Sequence, residues 1–262
     1  MHLRNKTILI TGGTSGFGLE FAKRFLELGN TVIITGRNKE KLDETKIRFP
    51  RIKTYQSDVS SPEDIQRLCE QVTYSYPDLS IIINNAGIMR RIVLHDKYDL
   101  TDITQEVEID LMGPIRMVQS FLPHLKKHKD PAIVNVTSGI ALAPFPIAPV
   151  YSASKAGLRA FTKALRVQLK DTNVKVIELV APGSTTPLND KFFGEEGSSA
   201  GARIAPEKIV DAAIKGMEMD KEEIYPGLSK MLPILSKVAP GLLLKQASKT
   251  FAAEMKGIES IK

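Results

Sequence analysis

Cysteine occurs once in the 262-residue chain, at Cys69. A single thiol can neither close an intrachain disulfide nor build a thiolate metal cluster, so no metal site is expected and a reducing, cytoplasmic setting fits. Long apolar runs are missing as well. The longest, Ile140 to Val150, is about half a membrane span and carries three prolines, so it is not a transmembrane helix. Apolar Ile8-Leu9-Ile10 comes early and reads as a first strand, so no signal peptide is expected. No repeat, linker or low-complexity tract divides the chain, which predicts one domain over residues 1–262. The formal charge is +6, yet basic residues alternate with acids, as between Arg37 and Arg48. With no stacking platform and no concentrated basic stripe, a nucleic-acid partner is not expected.

What is present is an ordinary globular balance, 42% apolar and 25% charged residues, which excludes disorder. Short β-branched runs alternate with longer amphipathic stretches, the pattern of an α/β protein with parallel strands covered by helices on both faces. Strands are expected near 6–11, 31–35, 52–56, 80–84, 132–137, 174–180 and 223–225, with helices near 17–28, 39–48, 62–75, 101–127, 152–170 and 206–219. Gly29-Asn30 ends the first helix, and Ser61-Pro62-Glu63-Asp64 supplies an N-cap, an N1 proline and early acids for the third. Residues 187–204 read as a mobile substrate-loop insertion, and residues 228–262 as an apolar then basic tail.

Thr11-Gly12-Gly13-Thr14-Ser15-Gly16-Phe17-Gly18 joins the first strand to the first helix. Glycines there accept unusual backbone angles and let a phosphate approach the positive helix end, although such turns also serve as plain connections. After the second strand, Gly36 stands where an acid would hold an NAD ribose, and Arg37 follows, suited to a 2′-phosphate. NADP is therefore the expected cofactor over NAD. Ile81-Ile82-Ile83 runs into Asn84-Asn85-Ala86-Gly87, whose amides can tie strands together beside a cofactor ring. Tyr151 and Lys155, spaced i and i+4, share a helix face thirteen residues after Ser138. A neighbouring cation favours the phenolate, lowering the tyrosine pKa from near ~10.

In order and spacing, TGGTSGFG, NNAG, Ser138, YSASK at 151–155 and Pro182-Gly183 resemble the short-chain dehydrogenase/reductase family over nearly the whole chain to about residue 227. Phrases such as ITGGTSGFGLEFAKRFLELGNTVIITGR and ELVAPGSTT resemble its bacterial DltE-type branch. The resemblance implies a doubly wound Rossmann fold with a seven-stranded parallel sheet, and a homodimer or homotetramer assembled through the helices at 101–127 and 152–170. It also implies the following roles. Gly12, Gly16 and Gly18, with Thr14, Ser15 and Phe17 of the same turn, bind pyrophosphate; Asp58 and Val59 flank adenine; Asn85, Ala86 and Gly87 line the adenosine ribose. Tyr151 exchanges the proton, Lys155 binds the nicotinamide ribose, and Ser138 positions a carbonyl. Pro182, Gly183 and a following threonine, Thr185 or Thr186 by register and Thr186 by preference, pass along the nicotinamide.

One departure stands out: Asp110 occupies the place of the family's usual Asn, which supports a proton-relay water largely through its backbone carbonyl. Its carboxylate can pair with Lys155 or disturb the relay. The resemblance thus implies an oxidoreductase acting on a small carbonyl or alcohol; the alternative is a cofactor-binding sensor or scaffold with weakened catalysis. Ile140, Leu142, Phe145 and Val150, with Phe192 and Phe193 as lid anchors, suggest a hydrophobic substrate, unless they merely pack their loop. Pro233 and Pro240 interrupt any long amphipathic helix in the tail, so packing or a lid is expected there rather than membrane contact.

Overall fold

Successive residues of a strand face opposite ways, and this chain buries both faces. In β1 (Thr7–Thr11), Ile8 and Ile10 enter one apolar core while Leu9 enters another. Neighbouring strands repeat the division: Val32 and Ile34 oppose Ile33 in β2 (Thr31–Gly36), and Ile81 and Ile83 oppose Ile82 in β4 (Leu79–Asn84). Beyond them lie β3 (Lys53–Gln56), β5 (Ala132–Ser138), β6 (Lys175–Ala181) and the short β7 (Glu223–Ile224). This computed structural model describes residues 1–193, 203–250 and 252.

The strands form one parallel sheet in the order β3-β2-β1-β4-β5-β6-β7. Helices α1 (Gly16–Glu27), α2 (Lys39–Arg48) and α8 (Pro206–Glu218) cover the first core. Helices α3 (Pro62–Ser75), α5 (Gly113–Leu125) and α6 (Pro149–Gln168) cover the second. The doubly wound architecture expected from the sequence is therefore present. Strand order reverses between β1 and β4, and the crevice outside the strand ends at such a point is where ligands bind in open α/β sheets.

Local signals act as read. Ser61 Oγ accepts from Asp64 N at 3.1 Å, Pro62 opens α3, and Gly29 takes a φ of +80° to end α1. The helix expected at 101–127 differs. Asp99 accepts hydrogen bonds from the Thr101 and Asp102 amides, which holds the approach in turns. A short α4 (Gln105–Val107) then passes into a wide π turn, Glu108–Met112, before α5. Pro114 lacks an N–H for the carbonyl of Asp110 four residues earlier, which accounts for the break in the α ladder there.

The insertion departs in part from expectation. Residues 187–193 form α7 (Pro187–Phe193), while 194–202 lie outside the described residues. The tail folds as α9 (Leu232–Val238) and α10 (Pro240–Thr250). Pro233 falls in the first turn of α9 and Pro240 opens α10 after α9 ends at Val238, so the tail is two short helices and no long one runs through it, as its prolines predict.

Candidate active site

The ends of β1, β2, β4, β5 and β6 open into a cleft of about 720 Å³. At its centre is the turn between β1 and α1. Gly12 has a φ of +65°, and a Cβ there would come 2.8 Å from Ala86 Cα, so the turn and the β4 end touch backbone to backbone. Thr11 Oγ1 accepts from the amides of Asn85 and Ala86 at 3.0 Å, and Asn85 Nδ2 donates to the Thr11 carbonyl at 2.9 Å. Asn84 Nδ2 meets Asn135 Oδ1 at 2.8 Å, and Asn135 Nδ2 reaches Thr162 Oγ1 at 2.9 Å. These amides tie β1, β4, β5 and α6 into one rigid frame, the strand-tying role expected of Asn84 and Asn85.

The N-terminus of α1 faces the cleft with anion-binding capacity unspent. Ser15 makes no capping side-chain bond and the first turn holds no acid, so amide donors and the positive helix end remain available. Thr14, Ser15, Gly16, Phe17, Arg37, Val59, Asn85, Ala86 and Gly87 line the cleft with Gly12. So do Ser138, Tyr151, Lys155, Pro182, Gly183 and Thr186. A Cβ on Gly183 would meet open space, and Thr185 is exposed whereas Thr186 is buried against the turn at Gly16. The residues present fit a dinucleotide: donors at the helix end, a glycine cradle, and room along the ends of β5 and β6.

Two of the expected contacts sit off the cleft wall. A Cβ on Gly18 would come 2.2 Å from the Gly12 carbonyl oxygen, so Gly18 lets α1 pack against the turn. Asp58 turns towards its own loop, accepting from Ser60 N at 2.9 Å and Ser60 Oγ at 2.7 Å, with the Arg37 guanidinium 3.9 Å away.

At the other end of the cleft, Tyr151 and Lys155 lie on the first turns of α6 and Ser138 closes β5. Ser138 hydrogen-bonds the Tyr151 phenol, which favours its ionised form. Burial outweighs this and, with the charge of Asp110, raises the tyrosine pKa above the ordinary phenol range. The lowering expected from Lys155 is thus absent in the free chain. The reason is where the ammonium points: Lys155 Nζ donates to the Val136 carbonyl at 3.2 Å and lies 3.3 Å from Asp110 Oδ1. It stands 5.6 Å from the centre of the Tyr151 ring.

Asp110 is wholly buried in the π turn behind the cleft. Burial pushes its carboxyl up to about 6, against the pull of Lys155 and of the Ile88 amide, which donates to Oδ2 at 3.4 Å. Oδ1 is near Lys155 without an aligned hydrogen bond. Gly87 makes this placement possible, because a Cβ there would come 2.3 Å from Oδ1.

Sequence reasoning missed several participants. Thr11 is one. Glu106 is another: it is buried one helical turn before Asp110 and is paired with Arg90 at 3.0 Å, fixing the loop after β4. The available signal was the alternation Glu106-Val107-Glu108-Ile109-Asp110, in which Glu106 and Asp110 stand four residues apart. From the tail, Ser229 and Leu232 reach the cleft, and Leu232 Cδ1 would lie 2.8 Å from a Cβ on Gly139. Ile140, Phe145, Leu188 and Phe193 make the adjoining wall apolar, with Phe192 buried behind it. Leu142 and Val150 are not on that wall.

A family model described as short chain dehydrogenase matches residues 6–196. The chain is 41% identical over 225 residues to an uncharacterized oxidoreductase, DltE, of Bacillus subtilis, covering 86% of this chain and 89% of the relative. Among solved structures, a short chain dehydrogenase of Burkholderia cenocepacia in complex with NADP superposes with a TM-score of 0.81 at 25% identity, over 94% of this chain and 99% of that one. A 3-ketoacyl-(acyl-carrier-protein) reductase of Brucella melitensis complexed with NADH gives a TM-score of 0.75 at 28% identity, over 82% and 91% of the two chains.

Proposed function

The chain belongs to the short-chain dehydrogenase family of oxidoreductases, and from that premise we propose that it interconverts an apolar carbonyl compound and its alcohol with NADP(H). The observation that carries the reading is the meeting of Ser138, Tyr151 and Lys155 at one end of a cleft whose other end is an unspent helix N-terminus.

Gly12, Thr14, Ser15, Gly16 and Phe17 hold the pyrophosphate, Val59 the adenine, and Asn85, Ala86 and Gly87 the adenosine ribose. Pro182, Gly183 and Thr186 lie along the nicotinamide, and Lys155 binds its ribose. When bound, the nicotinamide supplies or accepts the hydride. Ser138 Oγ holds the substrate oxygen beside the phenol. Tyr151 Oη gives that oxygen a proton in reduction and removes one from the alcohol in oxidation. Lys155 stabilises the phenolate so formed, and Asp110, 3.3 Å behind Lys155 Nζ, sets how strongly that ammonium acts on the phenol.

NADP preference rests on Gly36 and Arg37, because the two solved relatives carry one cofactor each. Arg37 lines the cleft, its side chain is 56% exposed, and its 3.9 Å separation from Asp58 is too long for a hydrogen bond, so the guanidinium can turn to a phosphate. An apolar substrate follows from the wall formed by Ile140, Phe145, Leu188, Phe193 and Leu232. Titration with NADPH and NADH, then a panel of carbonyls from acetaldehyde to long-chain ketones followed by cofactor absorbance, tests all three parts. Tighter NADPH binding with turnover rising along the chain-length series supports the reading. Cofactor binding with no turnover across the panel favours a sensor or scaffold, for which the Asp110–Lys155 pair is the supporting observation.

A further inference from the structure

Met231, Ile234, Leu235 and Val238 recur at i, i+3, i+4 and i+7, the spacing that normally sends a helix face into a core. Here that stripe faces outward, with the four residues 53%, 59%, 37% and 78% exposed. Leu242 and Leu244 of α10 add to the exposed apolar surface. Lys230 and Lys237, seven residues apart, flank one side of the stripe, and Lys245 and Lys249 follow on α10. From Tyr225 to Ala253 the chain holds these four lysines and no acid.

The inward side of the same segment is already committed. Ser229 is buried, and Leu232 sits at the cleft against Gly139. The apolar stripe is therefore surplus to the fold and adjoins the cleft.

A second copy of the chain is a poor occupant. A two-fold contact of this segment on itself would bring its four lysines against another four with no acid from the segment to offset them, a like-charge juxtaposition that opposes association. A surface that is apolar below and anionic above satisfies both features. Leucine, isoleucine and valine side chains enter its hydrocarbon boundary while lysine stems reach back to its charged heads.

We propose that α9 and α10 dock this protein on an anionic lipid bilayer, with the cleft at the membrane side. The two helices lie in the interface plane; neither spans it, since no helix among the described residues is long and apolar enough to cross a membrane. Binding needs no cofactor turnover, so failure of this inference and failure of the oxidoreductase reading are separable.

The test is co-sedimentation of the full chain with vesicles of phosphatidylcholine alone and of phosphatidylcholine with phosphatidylglycerol in equal parts. The wild type should pellet with the mixed vesicles and stay in the supernatant with the neutral ones. Lys230→Gln and Lys237→Gln should each weaken binding about fivefold. Replacing Met231, Ile234 and Val238 together by serine should abolish it while the far-ultraviolet circular dichroism and cofactor binding stay unchanged, because each of the three is more than half exposed. Three outcomes overturn the proposal: no binding of the wild type to the mixed vesicles at low salt, equal binding to neutral vesicles, or full binding by the serine variant. If the serine variant instead changes the oligomer size in sedimentation while the wild type ignores vesicles, a second copy covers the stripe and the proposal fails.

Discussion

Lys155 Nζ lies 3.3 Å from Asp110 Oδ1, and the aspartate is wholly buried. The acid is therefore in electrical contact with the proton-transfer end of the cleft without lining it. Its charge raises the tyrosine pKa, so removing that charge lowers it. In Asp110→Asn, the alkaline limb on which alcohol oxidation rises with pH should move to lower pH. An unchanged profile in that variant means that the carboxylate does not act on Tyr151.

The same residue sets a pH dependence of stability. Its folded-state pKa is raised from 3.8 to about 6, so the native state holds a proton that the unfolded chain releases at lower pH. That contribution is full below about pH 4 and is lost as pH rises through about 6. Relative to Asp110→Asn, the wild type should lose roughly 3 kcal/mol of stability across this window and change little above it. Urea titrations of the pair at pH 4, 5, 6 and 7 read the difference, which belongs to Asp110 together with the groups coupled to it, Lys155 and Glu106.

Arg37→Ala should weaken NADPH binding by roughly 10–100-fold, the worth of charge-assisted hydrogen bonds to one phosphate, with NADH affinity unchanged. Adding Gly36→Asp should then favour NADH. A Cβ at Gly36 meets its nearest atom, Thr14 Cγ2, at an ordinary 3.6 Å, so the change fits without repacking. Equal losses for both cofactors would place Arg37 on the shared part of the dinucleotide.

Gly18→Ala separates packing from binding. The new methyl would stand 2.2 Å from the Gly12 carbonyl and 2.6 Å from Asn85 Nδ2, and the backbone must shift. A loss of about 1–3 kcal/mol in stability is expected, visible as a lowered melting temperature of the cofactor-free protein. A variant of normal stability that fails only to bind cofactor would return Gly18 to the pyrophosphate.

Much of this was legible because local and tertiary demands agree. Ile81-Ile82-Ile83 reads as a strand since both faces are buried, and Ser61-Pro62 marks a helix start by its own hydrogen bond. Spacing put Tyr151 and Lys155 on one face of α6, and the resemblance added Ser138, which stands at the end of β5 beside them. Other features depend on contacts remote in sequence. The π turn at Asp110 arises where Pro114 withholds an amide and Lys155 offers a charge, and no periodicity records that combination. The upward tyrosine shift comes first from burial of the phenol and then from the charge of Asp110, both set by residues remote in sequence. The prolines of the tail were legible as breaks, and its helices are short and divided ahead of Pro240, but the seating of Leu232 against Gly139 is a contact no local pattern records.

Tyr151→Phe removes the phenol oxygen and keeps the ring that packs with Met89, Ile147 and Phe192. Its kcat for carbonyl reduction with NADPH, measured beside its dissociation constant for NADPH, is the decisive pair of numbers. A fall in kcat of about 10²–10⁴-fold, the usual worth of a positioned acid, with cofactor affinity within about twofold of wild type, is the predicted result. Retention of most turnover, with the cofactor still bound, would contradict the assignment of Tyr151 as the proton donor.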